Sequence, residues 1–129
     1  DQVNAYITCK ISEEHFCAIG PKYLYLLSTK EQDIRNVFNI PDGYEIRSAI
    51  CSPSGSLLCT SQTISSCDIV EFEINVEEFN EMSKIINPHK NEDDEDGIKI
   101  GSSLINALVI TQDREIITAG CDRKIKYWN

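Results

Sequence analysis

The sequence predicts an all-β protein assembled from three copies of one structural unit. Three stretches of the chain, 4–20, 46–62 and 105–121, align with one another without gaps. Each stretch contains short apolar and β-branched runs, which Gly, Pro, Asp and Ser residues typical of turns separate. Many short strands at regular spacing with turns between them are typical of an all-β architecture.

The alignment places residues of similar character at equivalent positions. One column holds apolar residues and the next holds small polar or thiol residues: Phe16, Leu58 and Ile117, then Cys17, Cys59 and Thr118. The first two stretches begin 42 residues apart, and the second and third begin 59 residues apart. A period of about 40–45 residues is known for one class of repeat protein. The longer second interval therefore indicates one insertion.

The strands of each unit follow from the apolar runs and the turns that bound them. In the first unit we expect strands at 5–9, 15–19, 23–27 and 34–40; in the second at 46–51, 57–61 and 68–74; in the third at 104–110, 116–119 and 124–129. The apolar spacing of 77–86 fits a short helix about as well as an outer strand, and both alternatives stay open.

The insertion is predicted at 88–97, between the second and third units. It contains five consecutive acids, Glu92 to Asp96. Like charges repel one another and favour a solvated loop, and a docking strip for a basic partner is the alternative. The carboxylates could also supply oxygen ligands for Ca²⁺, but the run lacks the spacing of an EF-hand loop.

Residues near the end of the chain resemble the end of a WD repeat. The family pattern is a strand with Ser or Thr, an Asp-bearing turn, an alternating strand and then Trp-Asp, and 117–129 follows it with Trp128-Asn129. The turn 52–55, Ser-Pro-Ser-Gly, resembles the family's Ser-Pro-Asp-Gly turn. The resemblance implies a WD-repeat β-propeller, about three blades of an incomplete ring, as one domain over 1–129. The predicted blades are 3–40, 44–87 and 98–129.

The same resemblance implies structural roles for three residues. In the family a strand hydroxyl joins the indole N–H of Trp, a turn Asp and a His from the preceding loop. Thr118, Asp122 and Trp128 match three of these four members. The His member is expected to be absent, because Ile100-Gly101 stands where the family has Gly-His. A buried donor without a partner would cost about 1–3 kcal/mol, so we expect the matched residues to hold their blade together.

The composition excludes several classes of function. The net charge of −9 argues against nucleic acid and against a direct grip on an anionic membrane, which both require clustered basic residues. No apolar run approaches the roughly 18 residues that a membrane span needs, so we expect no direct membrane insertion.

An enzyme needs acid, base or nucleophile groups that converge on one site. The two histidines indicate no such site: His15 begins a predicted strand, and His89 is expected to be a solvated loop residue beside Pro88. No phosphate-binding loop, zinc-protease or nucleophile-elbow motif occurs in the sequence. The sequence predicts a protein that is not an enzyme and holds no cofactor or metal. An enzymatic or metal-binding β domain is the alternative class.

The chain contains six cysteines and no Cys-x-x-Cys pair. Unpaired cysteines are common as small buried apolar residues in proteins of reducing compartments. We therefore expect reduced thiols and a cytoplasmic location. Because propellers typically use four to eight blades, we also expect a fragment of a ring, or a ring completed by another copy or a partner.

A narrower resemblance concerns 23–128. This region is similar to the C-terminal propeller of the regulatory, protein-kinase-like subunit of class III phosphatidylinositol 3-kinase. The similarity involves the strand 23–25 that leads to Ile46-Arg47, the strand 68–73, the long insertion, and 118–128. It implies a protein-binding scaffold that joins a lipid kinase catalytic subunit to coiled-coil adaptors on endosomal or autophagic membranes, in vesicle trafficking and autophagy. The alternative is an unrelated WD-repeat scaffold with other clients.

Overall fold

The computed structural model describes residues 4–31, 33–63, 66–90 and 104–128. All regular elements in these ranges are β-strands: β1 (Ile7–Lys10), β2 (His15–Ile19), β3 (Tyr23–Ser28), β4 (Ile34–Asn39), β5 (Ile46–Cys51), β6 (Leu57–Gln62), β7 (Cys67–Ile74), β8 (Phe79–Ile85), β9 (Ile105–Ile110), β10 (Ile116–Gly120) and β11 (Ile125–Trp128). The described part of the chain therefore includes no helix of the length and apolarity that crossing a bilayer requires.

The strands form three separate antiparallel sheets in chain order. The first sheet contains β1 to β4, the second β5 to β8, and the third β9 to β11, with each strand paired to its neighbour in sequence. This confirms the prediction of an all-β chain with three antiparallel sheets of three to four strands.

Of the two alternatives for 77–86, the structure shows the outer strand, β8. The turn before it explains why. The side-chain oxygen of Asn75 accepts the backbone N–H groups of Glu77 and Glu78, each at 2.8 Å. This tight turn brings Phe79 opposite Ile74 and starts an antiparallel pairing with β7. The ladder then satisfies the backbone groups that a helix would have paired internally.

The largest apolar core lies between the first and second sheets. Strand β7 contributes one face to this core. Its buried residues Val70, Phe72 and Ile74 alternate with Glu71 and Glu73, which lie on the opposite face. The core consists of Cys17, Ile19, Leu24, Leu26, Ile40, Ile46, Leu57, Cys59, Val70, Phe72 and Ile74. The ring of Phe72 stacks on that of Phe79 with centroids 4.5 Å apart. Aromatic pairs of this kind add to the stability that burial of their area provides.

Polar contacts join the sheets at their margins. The hydroxyl of Tyr6 donates to the carbonyl of Ile46 at 2.7 Å, and the Asn36 amide donates to the carbonyl of Val76 at 2.8 Å. Between the second and third sheets, one nitrogen of Arg114 lies 3.4 Å from a carboxylate oxygen of Glu71. The first and second sheets are thus joined by packing and hydrogen bonds, and the second and third by the contact between Arg114 and Glu71.

Candidate functional site

The loop that follows β8 carries a histidine into the third sheet. Asn87 adopts a left-handed backbone conformation with φ of 49°, which Asn tolerates better than most residues. Its backbone N–H donates to the carboxylate of Asp68 at 2.8 Å, and its side-chain oxygen accepts the N–H of Cys67 at 3.3 Å. These two bonds fix the turn to the start of β7 and direct His89 toward β10.

His89 completes a network of four side chains, which we call the buried polar network: His89, Thr118, Asp122 and Trp128. The side chain of His89 is 0% exposed. Its Nδ1 lies 2.7 Å from Oδ1 of Asp122, and its Nε2 lies 2.6 Å from Oγ1 of Thr118. The indole N–H of Trp128 donates to the same Thr118 oxygen at 3.0 Å. Strand β10, the following turn and strand β11 each supply one member.

The expectation that the histidine member is absent was wrong, and so was the expectation that His89 is solvated. Its ring is enclosed and hydrogen-bonded at both nitrogens. Matching the family's Gly-His pair to Ile100-Gly101, which lies outside the described residues, assumes that the insertion precedes the histidine. The insertion follows it instead. One signal could have revealed this, because His89 is the histidine of the loop that leads into the third unit.

The proton arrangement of the network follows from the donor capacity of each group. The indole of Trp128 can only donate, so the Thr118 oxygen accepts from it. The Thr118 hydroxyl proton is then free to point at Nε2 of His89. That leaves Nδ1 of the neutral imidazole to donate to the Asp122 carboxylate. This assignment, which is inferred from the network, gives every hydrogen bond one donor and one acceptor.

Asp122 stays charged inside this network. Burial of its carboxyl group raises its pKa, but the hydrogen bonds from His89 and from the backbone N–H of Lys124 lower it more, and the net pKa lies below the ordinary value. The ammonium of Lys126 lies 3.7 Å from the second carboxylate oxygen. The same ammonium donates to the carbonyl of Pro88 at 2.6 Å. Lys126 therefore joins the carboxylate to the loop that carries the histidine.

A glycine leaves room for the histidine ring. At Gly120 a Cβ atom would lie 2.5 Å from Cγ and Nδ1 of His89 and 2.9 Å from its Cβ. Such distances are far inside van der Waals contact, so any larger residue would push the ring away. The turn after Gly120 is closed by a hydrogen bond from the N–H of Arg123 to the carbonyl of Gly120 at 3.1 Å. This turn holds Asp122 beside the ring.

The arrangement joins the loop after β8 to β10, the following turn and β11 through hydrogen bonds. The side chains of His89 and Asp122 are only 0% and 3% exposed. Across the described residues, no three His, Cys, Asp or Glu side chains are grouped so as to bind a metal ion. His15, the other histidine, begins β2 as a half-buried residue opposite Ser28. The acidic run Glu92 to Asp96 lies outside the described residues.

A second feature is an apolar face of the third sheet, which we call the open face. Directly opposed residues of an antiparallel ladder share a face. The register places its members in two rows: Val109, Ile117 and Tyr127, then Ala107, Ala119 and Ile125. Val109, Tyr127 and Ile125 are 56%, 64% and 66% exposed. Exposed apolar groups that lie together mark a surface suited to a partner.

The comparisons with known proteins concern the fold. No protein-family model matches the sequence, and no curated protein is significantly similar to it. A chain in the crystal structure of a mitotic checkpoint complex superposes with a TM-score of 0.66 and 13% identity, over 98% of this chain and 36% of that one. A protein of unknown function from Bacteroides caccae superposes with a TM-score of 0.50 and 11% identity, over 97% of this chain and 45% of that one. This chain thus spans less than half the length of either, and it shares with the first the β-propeller-like arrangement of sheets.

Proposed function

We propose that this chain is a protein–protein interaction scaffold and that the open face of its third sheet is where another β-sheet packs. The observation that carries the proposal is the exposure of that face, whose two rows are apolar throughout. Short strands joined by tight turns give a stiff surface, and a stiff surface binds with little loss of conformational freedom. The occupant is a further sheet of the full-length protein, because this chain spans only 36% of the propeller-like chain on which it superposes.

The internal repeat supports a sheet as the occupant. Ile125 is equivalent to Ile69 of the second sheet, because they pair with the equivalent residues Ala119 and Thr60. Ile69 is 2% exposed and Ile125 is 66% exposed. Burying apolar area contributes about 25 cal/mol per Å², so covering the open face is favourable.

The charge of the chain favours a basic partner surface. The net charge of −9 raises the local concentration of cationic partners and speeds their encounter at low salt. Such attraction weakens as ionic strength rises, because salt screens exposed charges. Association that slows steeply with added salt would support this part of the proposal.

A finer proposal names the assembly. The resemblance of 23–128 supports the propeller part of a class III phosphatidylinositol 3-kinase regulatory subunit. Its partners would be the lipid kinase catalytic subunit and coiled-coil adaptors, on endosomal or autophagic membranes. The alternative, an unrelated WD-repeat scaffold with other clients, needs only the fold and the open face. The fold is also seen in a chain of a multi-protein assembly, the mitotic checkpoint complex, which agrees with a docking role.

Affinity purification of the full-length protein, followed by mass spectrometry, separates the two. Recovery of a phosphatidylinositol 3-kinase catalytic subunit with a coiled-coil adaptor supports the finer proposal. Reproducible recovery of another assembly without a lipid kinase supports the alternative.

The open face itself is tested by Ile125→Asp, with Ile86→Asp as a matched control. Ile86 is 72% exposed but lies after β8, away from the open face. We expect Ile125→Asp to lower the melting temperature of the full-length protein and Ile86→Asp to leave it unchanged. Equal behaviour of both variants would contradict the packing of a sheet on this face.

A further inference from the structure

Two cysteines face each other across the first pair of strands. Cys9 on β1 is directly opposite Cys17 on β2. Directly opposed residues of an antiparallel pair have Cα atoms about 4.5–5.5 Å apart and side chains on the same face. Disulfides require Cα atoms about 4.4–6.8 Å apart. Both thiols are free in the structure, and the backbone already holds them where a disulfide can form.

The two thiols differ in access and in acidity. Cys9 is half-buried and Cys17 is 0% exposed. The neighbouring Cys17 thiol lowers the pKa of Cys9, although burial opposes this change. Proximity to Cys9 raises the pKa of Cys17, and burial raises it further. The accessible sulfur is thus the better thiolate, and the buried thiol is its proton-bearing neighbour.

The second sheet provides an internal contrast. Cys59 is equivalent to Cys17, but the residue opposite it is Ala49. Burial raises the pKa of Cys59, and no thiol of β5 is directly opposed to it. Cys51, on the same strand as Ala49, donates to the carbonyl of Ile11 at 3.2 Å, and burial raises its pKa. The combination of an accessible, acidified thiol and an opposed thiol is found at Cys9.

We propose that Cys9 is a peroxide-reactive thiol and that Cys17 resolves its sulfenic acid into a disulfide between β1 and β2. In the first step the Cys9 thiolate attacks hydrogen peroxide, an S–O bond forms, the O–O bond breaks and hydroxide leaves. The sulfur loses two electrons and the peroxide gains them. In the second step the Cys17 sulfur attacks the Cys9 sulfur, the S–O bond breaks, and the leaving oxygen departs as water with the Cys17 proton. A cellular dithiol reductant restores both thiols by exchange.

The disulfide would act at an inter-sheet boundary. Strand β1 packs beside β5 of the second sheet, and Cys51 of β5 contacts the loop after β1. A covalent link between β1 and β2 stabilises the first sheet by restricting its unfolded states.

The test uses the intact protein treated with hydrogen peroxide, blocked with an alkylating agent and mapped by mass spectrometry. We expect a peptide pair linked through Cys9 and Cys17, with both free thiols lost together and recovered by dithiothreitol. Cys121 is exposed and its sulfur contacts the side-chain amide of Asn106, so it serves as the accessible comparator and should be modified more slowly than Cys9. Oxidation of Cys121 before Cys9, or a link from Cys9 to Cys51, would overturn the proposal.

Variants separate the two roles. In Cys17→Ser the sulfenic acid of Cys9 should accumulate and react with dimedone, and no linked peptide should form. In Cys59→Ser, the matched control, the Cys9–Cys17 link should form as in the unaltered protein. If Cys17→Ser folds poorly, kinetics of peroxide consumption by the unaltered protein replace it, since they should show loss of one peroxide for each pair of thiols lost. Absence of dimedone labelling in a folded Cys17→Ser variant would contradict the assigned roles.

Discussion

The second and third sheets use equivalent positions for opposite kinds of interaction. Phe72 pairs with Leu57 in the second sheet, and Trp128 pairs with the equivalent Ile116 in the third. Cys59 on β6 and Thr118 on β10 are also equivalent, and both are about 1% exposed. The second sheet therefore places a thiol and a phenyl ring where the third places a hydroxyl and an indole.

The loops that lead into the two sheets differ in the same way, one making an apolar contact and the other hydrogen bonds. Tyr44, in the loop before β5, packs its ring edge-on to Phe72 with centroids 6.0 Å apart. His89, in the loop before β9, bonds to Thr118 and Asp122 instead. An apolar contact tolerates small shifts, whereas a chain of hydrogen bonds requires all its members. The same backbone arrangement therefore accepts either an apolar contact or a hydrogen-bonded network, and the stability of the network depends more strongly on each of its members.

The largest effect on the free energy of unfolding is expected from removing the aromatic ring at the equivalent position of each sheet. Phe72→Ala should lower the free energy of unfolding by about 3–5 kcal/mol, because it leaves a cavity against Phe79 and Tyr44. Trp128→Ala should have an effect in the same range, because it also leaves the Thr118 hydroxyl with one partner fewer. Urea unfolding followed by circular dichroism measures both. A small effect at Trp128 alone would show that the third sheet does not depend on its polar network.

The next prediction concerns the contact between Gly120 and His89. Gly120→Ala should destabilise the protein by about 1–3 kcal/mol, because the added methyl group overlaps the imidazole. His89→Ala removes the ring, so the cost of Gly120→Ala should nearly vanish in that background. The double-mutant cycle measures this coupling directly. Additive costs of the two changes would place the ring somewhere else.

A smaller effect is expected from exchanging polar and apolar character at the equivalent strand position. Thr118→Val should cost about 1–2 kcal/mol, because the His89 and Trp128 groups lose a shared partner. Cys59→Thr is the reciprocal change. It should also destabilise the protein, because the new hydroxyl would be buried opposite Ala49 and Val70, which have no polar side-chain atoms. Thermal melting of the two variants tests whether each sheet accepts only its own chemistry. A stabilising Thr118→Val would overturn the assigned network.

The smallest expected effect is a pH dependence confined to the third sheet. The pKa of Asp122 is lower in the folded protein than its ordinary value of 3.8. Its contribution to stability is therefore complete above that value and is lost as the pH falls through the folded pKa. Fluorescence of Trp128, the single tryptophan, reports this change in the unaltered protein. Asp122→Asn should be less stable at neutral pH and should show a shallower loss of stability in acid.

Sequence patterns predicted the strands well because their causes are local. Alternation in β7 and the turn residues before β10 are visible within a few positions of each other. The buried polar network depends on contacts between distant residues, since His89 and Asp122 are 33 residues apart. The family resemblance indicated Thr118, Asp122 and Trp128, but the insertion concealed the histidine. The open face could not be derived from sequence alone, because its exposure depends on what packs against the third sheet.

The position of His89 also determines where the chain can change length without harm. His89 is already anchored in the third sheet, and the N–H of Cys121 donates to the carbonyl of Leu104 at 2.9 Å. The residues on both sides of 91–103 are thus hydrogen-bonded within the same sheet. Closing a loop between fixed ends costs little more when the loop is longer, about 0.6 kcal/mol for each doubling of a flexible loop. We therefore expect that an epitope or a fluorescent reporter inserted between His89 and Leu104 leaves the buried polar network intact.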